Sequence, residues 1–312
     1  MNKKVFVFSE SVGNACEMLT GAKTLGDNCS VILVGNESDA AELIAHGAQK
    51  VFLFEKEKDI MLEAYADDIS KVVAEEKPAL FMVGMTNRGR TIAAMVAQAI
   101  QAPCVSECKS ITTDAEGRYV LGRKIYSGMA STSEVCTSGT LVVTLPMRTY
   151  EAETADTSLT GEIIRKKRES ECKVKLVEVR AKAGDSVDVS AADTVVLFGR
   201  GVAKQEDMPM IEELTAALGG VTACTRPIAV DYKWMPISRY IGLSGKSVKP
   251  KLYLDIGSSG QIQQIAGAQD AKIIVAINNN PSEPVFNVCD YAVAGDLYEA
   301  VPILTKLIKA LH

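Results

Sequence analysis

Short, wholly apolar runs alternate with amphipathic stretches along the N-terminal part of the chain. VFVF (5–8), VILVG (31–35), VFLFE (51–55) and LFMVGM (80–85) read as buried strands. Helical patterns fall between them, around 16–25 and 38–45 and over about 59–76, where Ile60, Ala64, Ile69, Val72 and Val73 form the apolar stripe. Strands apolar on both faces and separated by helices predict a parallel sheet covered on both sides. Residues 86–101 read as a turn and a helix with Asn87 as N-cap. Arg88 and Arg90 lie near its start, where the helix dipole disfavours cations. They are either solvated or turned to a partner or an anion.

The pattern changes after Pro103. Segments 118–126 and 140–145 read as antiparallel or edge strands, with Glu116-Gly117 as a turn signal. Polar residues dominate 148–171, and the basic run Arg165-Lys166-Lys167-Arg168 reads as a solvated connection. KVKLVEVR (173–180) alternates like a strand, and the small, polar stretch 181–192 reads as a linker. The expected division is 1–185 and 186–312, two α/β domains.

In the second part, 195–198 reads as a buried strand and Gly199-Arg200-Gly201 as its exit loop. A helix over 209–218 ends at Gly219-Gly220. A guanidinium outside the carboxyl end of a parallel strand stands where open α/β sheets bind ligands, and it suits a pyrophosphate. Thr225-Arg226 follows, then Ile241-Gly242-Leu243-Ser244-Gly245-Lys246, either an ordinary turn or a ligand-wrapping loop. It lacks the G-K-[ST] order of a Walker A loop. KLYLDIG, SSG, QIQQIAG, AQDA and KIIVAIN (251–278) spell strand, turn, helix, strand. Free N–H groups at that helix start favour a phosphate or another polar anion. The spacing is not G-x-G-x-x-G, so an ordinary NAD fingerprint is not what it carries.

Composition narrows the classes. The 312 residues are 47% hydrophobic and 23% charged, with a net charge of −5, as in a globular protein with sizeable cores. A pI near 5.3 argues against nucleic acid as the main partner. No apolar run approaches the ~18–20 residues that span a bilayer, and the N-terminus enters a strand at once, so a cytoplasmic location is expected. The 8 cysteines show no C-x-x-C and read as buried, reduced thiols, and no metal site is expected. His46 and His312 are the only histidines, which disfavours a histidine-based hydrolase.

These motifs together resemble the α subunit of the electron-transfer flavoproteins, the EtfA/FixB group. The resemblance is carried by FGRG, the Gly-Gly after the next helix, TR, GLSGKSVKPKLYLDIGSSGQIQQIAG, KIIVAINNNPSEPVF and CDYAVAGDLYEAVPIL, and more loosely by GMTNRGRTIAAMVAQAIQAP and GRKIYSGMA. It implies a Rossmann-like N-terminal α/β domain packing on a β subunit, and a C-terminal FAD-binding domain with a parallel, DHS-like NAD/FAD-binding sheet. By that resemblance Arg200 reaches the dinucleotide, and Arg226 lies over the isoalloxazine with Thr225 beside it. Ile241, Gly242, Leu243 and Ser244 line the flavin, with the Ser244 hydroxyl near N5. Ser259, Gly260, Gln261, Ile262, Gln263 and Gln264 run along the ribityl and phosphate region to the pyrimidine side. Asn278 contacts the ribityl–phosphate portion, and Asp296 and Leu297 hold the adenosine end.

The resemblance also implies a heterodimer with a β subunit that exchanges electrons with an acyl-CoA dehydrogenase or a related flavoenzyme, a carrier subunit rather than a stand-alone enzyme. Two other classes stay open: a subunit of an electron-bifurcating or acyl-CoA-reducing complex using NADH and ferredoxin, and a nucleotide-binding scaffold without redox activity. Departures are visible. Gln264 stands where many relatives carry histidine, Leu243 where glutamine is common, and Asp255 and Ser258 replace small or β-branched residues. A neutral amide at Gln264 predicts weaker stabilisation of negative charge on the reduced flavin.

Overall fold

Val5, Phe6, Val7 and Phe8 are all buried, which a strand covered on both faces requires. The computed structural model describes residues 3–137, 139–172, 174, 176–179 and 187–311. The chain divides into two units, Met1–Val179 and Arg180–His312. The boundary expected between 185 and 186 involves residues outside those described.

In the first unit β1 (Lys4–Phe8), α1 (Val12–Leu25), β2 (Asn28–Gly35), α2 (Glu37–Ala45), β3 (Lys50–Glu55), α3 (Ala66–Glu76), β4 (Leu80–Gly84) and α4 (Asn87–Ala99) alternate. Then come β5 (Cys104–Val105), β6 (Cys108–Thr113), β7 (Tyr119–Ile125), β8 (Ala130–Val135), β9 (Leu141–Leu145) and β10 (Glu162–Lys166). Among the described residues, parallel pairing gives one sheet in the order β10-β3-β2-β1-β4-β9-β5, and β6-β7-β8 form a separate antiparallel sheet. Successive side chains of a strand point to opposite faces. Val5, Val7, Val31 and Leu53 therefore pack with Met18, Leu19 and Leu43 on one side. Phe6, Phe8, Ile32 and Phe52 pack with Ile69, Val73, Ile92 and Val96 on the other.

The structure corrects several expectations here. Thr86, not Asn87, caps α4: its hydroxyl accepts from the Gly89 N–H at 2.9 Å. The long helix expected over 59–76 is a 3₁₀ turn at Leu62–Tyr65 followed by α3. β9 is an inner strand, parallel to both β4 and β5 and wholly buried, not an antiparallel or edge strand. The basic run is not a connection, although Arg165 and Lys167 are exposed. Arg165 and Lys166 lie in β10, the strand beside β3, and Arg165, Lys166 and Arg168 pair with Glu37, Glu75 and Glu57. The strand expected over 173–180 is absent among its described residues, where Val177 is 91% exposed. The linker expected over 181–192 falls largely outside the described residues. Cysteines 16, 29, 108 and 224 are buried, but Cys104 is exposed and Cys136 only half-buried.

The second unit runs β11 (Thr194–Phe198), α5 (Met208–Ala217), β12 (Val221–Cys224), β13 (Leu252–Ile256), α6 (Ile262–Ile265), β14 (Ile273–Asn278), β15 (Tyr291–Ala294) and α7 (Leu297–Lys309). Its sheet is parallel, in the order β12-β11-β13-β14-β15. The helix expected to open at the Gly-Ser-Ser-Gly turn is a single turn of 4 residues, α6. The free N–H groups of a full helix start are thus not the main feature there. Because β12 lies on one side of β11 and β13 on the other, the chain reverses direction across the sheet between β11 and β13. A crevice opens outside the strand ends at such a switch point.

Candidate functional site

Two loops leave the sheet at this switch point and bind each other. The Gly199 N–H donates to the Ile256 carbonyl at 2.9 Å, and the Gly201 N–H to the Gly257 carbonyl at 2.8 Å. Gly257 takes a φ of +63°, a left-handed backbone that glycine adopts without a side-chain clash. Beside it Ser258 is buried, and its carbonyl accepts from the Asn278 Nδ2 at 2.8 Å. The Thr225 N–H, just after β12, donates to the Phe198 carbonyl at 3.1 Å. Arg226 then starts a π-helical turn, Pro227–Asp231.

The loop after that turn is fastened from both sides. Ile241 N–H donates to Cys224 O at 3.1 Å, Leu243 N–H to Gln263 O at 2.7 Å, and Lys246 N–H to Tyr240 O at 2.8 Å. The Tyr240 and Ser244 hydroxyls lie 3.2 Å apart. The sequence suggested an ordinary turn or a ligand loop; its hydrogen bonds tie it to β12 and α6 alike.

These segments surround a cavity of about 770 Å³, within the range of small-molecule sites. Arg200, Thr225, Arg226, Leu243, Ser244 and Leu297 line it, as do Ser259, Gly260, Gln261, Gln263, Gln264 and Asn278. Four expected positions are not on its wall. Ile241 is buried in the core beneath, Gly242 is part of the loop backbone, Ile262 is exposed on α6, and Asp296 caps α7 by accepting from the Tyr298 N–H. Arg200 and Arg226 are exposed, and neither has an ion-pair partner among the described residues. Two unpaired guanidinium groups on one cavity suit an anionic ligand.

Behind the wall lies a polar group that the sequence reading did not assemble. Gln264 Nε2 lies 2.6 Å from the Tyr253 hydroxyl and 3.3 Å from Asp255 Oδ2. Asp255 Oδ1 and Gln264 Oε1 are buried without partners. Burial pushes the Asp255 carboxyl up to about 6, hydrogen bonds from Ser258 and Gln264 offsetting only part of it. Tyr240, Asp231 and Glu283 also line the cavity unanticipated. A polar residue in an otherwise apolar strand, Asp255 in LYLDI, was the one available signal.

A second group of donor types lies in the first unit. Cys16, Glu42 and His46 bring their ligand atoms within 4.8 Å of one another. Burial and the neighbouring Glu42 push the Cys16 thiol up to about 11, which opposes the thiolate that a metal needs. No described helix is long and apolar enough to cross a membrane.

Residues 188–269 match the family described as the electron transfer flavoprotein FAD-binding domain, and residues 13–171 match the electron transfer flavoprotein domain. YdiR of Escherichia coli (strain K12), named for an electron transfer flavoprotein subunit, is 35% identical over 306 residues, 96% of each chain. Protein FixB of Salmonella typhimurium (strain LT2) is 32% identical over 310 residues, 98% of each chain. Protein FixB of Escherichia coli O127:H6 is 32% identical over 305 residues, 97% of each chain.

Proposed function

The chain belongs to the electron transfer flavoprotein family as an α-type subunit of the EtfA/FixB group, with FAD as its cofactor, and from that premise we propose that the switch-point cavity of the second unit holds the FAD. The observation that carries this reading is the pair of guanidinium groups, Arg200 and Arg226, without ion-pair partners among the described residues, on a cavity paved with glycine turns. The donor set fits the group. Arginines suit a pyrophosphate, the Gly257 and Gly260 backbone lines the cavity, and the orphaned Gln264 amide oxygen marks hydrogen-bonding capacity the protein leaves unused.

Bound FAD supplies one- and two-electron redox chemistry. The protein's part is to bind and orient it. Arg200 would take the pyrophosphate, and Arg226 would lie against the ring and favour negative charge there, since it never deprotonates. Thr225, Leu243 and Ser244 would line the flavin, with Ile241 and Gly242 shaping the loop from behind. Ser259, Gly260, Gln261 and Gln263 would follow the ribityl and phosphate portion with Asn278. Leu297 would face the adenosine end. Gln264 would approach the pyrimidine side.

The proposed role is an electron carrier in a heterodimer with an electron transfer flavoprotein β subunit, in the cytoplasm, serving an acyl-CoA dehydrogenase or a related flavoenzyme. The exposed Tyr126 (77%) and Met129 (72%), between β7 and β8, support a protein partner for the first unit. Co-expression with a β subunit tests the assembly: one complex reduced by an acyl-CoA dehydrogenase and its substrate is expected. Failure to associate, or association without electron uptake, would contradict the role.

A further inference from the structure

Asp255 and Gln264 touch across the turn after β13, Gln264 Nε2 lying 3.3 Å from Asp255 Oδ2. We propose that the protonation state of Asp255 sets which end of the Gln264 carboxamide turns toward Tyr253 and Asp255, and therefore which end is left without a protein partner beside the cavity. The pair then works as one positioning unit. The consequence for the cofactor rests on the reading of this cavity as the FAD site.

The arrangement described above is the one an ionised Asp255 favours. The NH₂ group points at the carboxylate and the Tyr253 hydroxyl, at 3.3 and 2.6 Å, and the amide oxygen is left buried and unpaired. A half-turn about the last side-chain bond exchanges two groups of nearly equal size. The amide oxygen then accepts from the Tyr253 hydroxyl, and 2.6 Å lies within the range of an O–H···O bond. It also accepts from Asp255 once that carboxyl carries a proton. The NH₂ group is freed as a donor for a ligand acceptor.

The surroundings disfavour the charged form of Asp255, without any cation among the described residues to offset them. Asp255 is 1% exposed, and its register partners, Leu197 on β11 and Ala276 on β14, carry no charge. From the loop after β13, Ser258 contributes only hydrogen bonds. Two titratable groups feel it, Tyr253 on the same strand and Cys289 before β15, and Asp255 raises the pKa of both. Neither supplies a positive charge. Complete burial accordingly brings the carboxyl to about 6, so both states are populated within the physiological range. In the neutral state the site offers a donor, which favours negative charge on a ligand; in the ionised state it offers an acceptor, which opposes it.

The test uses the full chain labelled with ¹³C at aspartate carboxyls and ¹⁵N at glutamine amides, with Asp255 and Gln264 assigned through Asp255→Asn and Gln264→His. Asp255→Ser replaces the first variant if that one folds poorly. From about pH 5 to about pH 8 the Asp255 carboxyl and the Gln264 amide are expected to shift together, with one midpoint near 6, and the amide to be silent in the Asp255 variant. An amide that ignores the carboxyl titration, or a carboxyl that stays in one state throughout, overturns the proposal. In the FAD-loaded chain, the plot of potential against pH is expected to bend at the same midpoint and to lose the bend in the variant. A coupled amide without that bend overturns the cofactor consequence. A chain that takes up no FAD overturns the cofactor-site reading, while the two resonances still decide the coupling itself.

Discussion

The Gly201 N–H donates to the Gly257 carbonyl at 2.8 Å, so the exit loops of two adjacent parallel strands are locked backbone to backbone. No side chain fits between them. A β-carbon on Gly201 would stand 2.6 Å from Gly257 Cα and 2.9 Å from its oxygen. Gly201→Ala is therefore expected to destabilise the second unit by about 1–3 kcal/mol through overpacking. FAD affinity should fall with it. Thermal unfolding and flavin titration measure both.

Asp255 gives a pH dependence of stability with a definite sign. Its carboxyl is pushed up to about 6 in the folded chain, above the ordinary value of about 4. Folded protein retains a proton that the unfolded chain releases, so stability falls as pH rises between those values and then levels off. The total is about 3 kcal/mol by linkage. Urea midpoints across that window should decline in the wild type, and Asp255→Asn should remove this component.

Asp68 predicts the opposite sign in the first unit. It is buried at the start of α3 and accepts from the Ser170 hydroxyl at 2.6 Å, the Ser170 and Glu169 N–H groups, and Lys71. Burial alone would raise its pKa, but hydrogen bonds from Ser170, Lys71 and Glu169 together hold it low. The resulting stability is present above the ordinary carboxylate pKa and is lost as pH falls through the lower folded value. Asp68→Ala should cost about 1–3 kcal/mol at neutral pH, read from urea unfolding, because it strands the N–H groups of residues 169 and 170.

Arg200 and Arg226 should each matter to cofactor retention more than to folding, since both are exposed and without ion pairs among the described residues. Replacing either by alanine is expected to weaken FAD binding by roughly tenfold or more, the scale of a charge-assisted hydrogen bond. Unfolding midpoints of the FAD-free chain should barely move. Equal losses in affinity and stability would point to a structural role instead.

The strands around Val5, Val31, Val51 and Phe81 were legible because burial on both faces leaves an unbroken apolar run. Gly199-Arg200-Gly201 was legible as an exit loop because the glycines interrupt the apolar run of β11. Arg165 and Lys166 misled because the strand they pair with, β3, lies far away in sequence, so the run looked like a connection. Leu141 to Leu145 looked like an edge strand because pairing with β4 and β5 is set by topology, not by local pattern. The contact between Asp255 and Gln264 crosses the turn after β13, and no periodicity reports it.

The most direct test of the account is a flavin count on the purified chain co-expressed with an electron transfer flavoprotein β subunit, with the visible spectrum followed through dithionite reduction. FAD bound by this chain, bleaching on reduction and lost or weakened in both arginine variants, is the predicted result. A colourless complex that cannot be reconstituted with FAD, or flavin held equally well without Arg200 and Arg226, would contradict it.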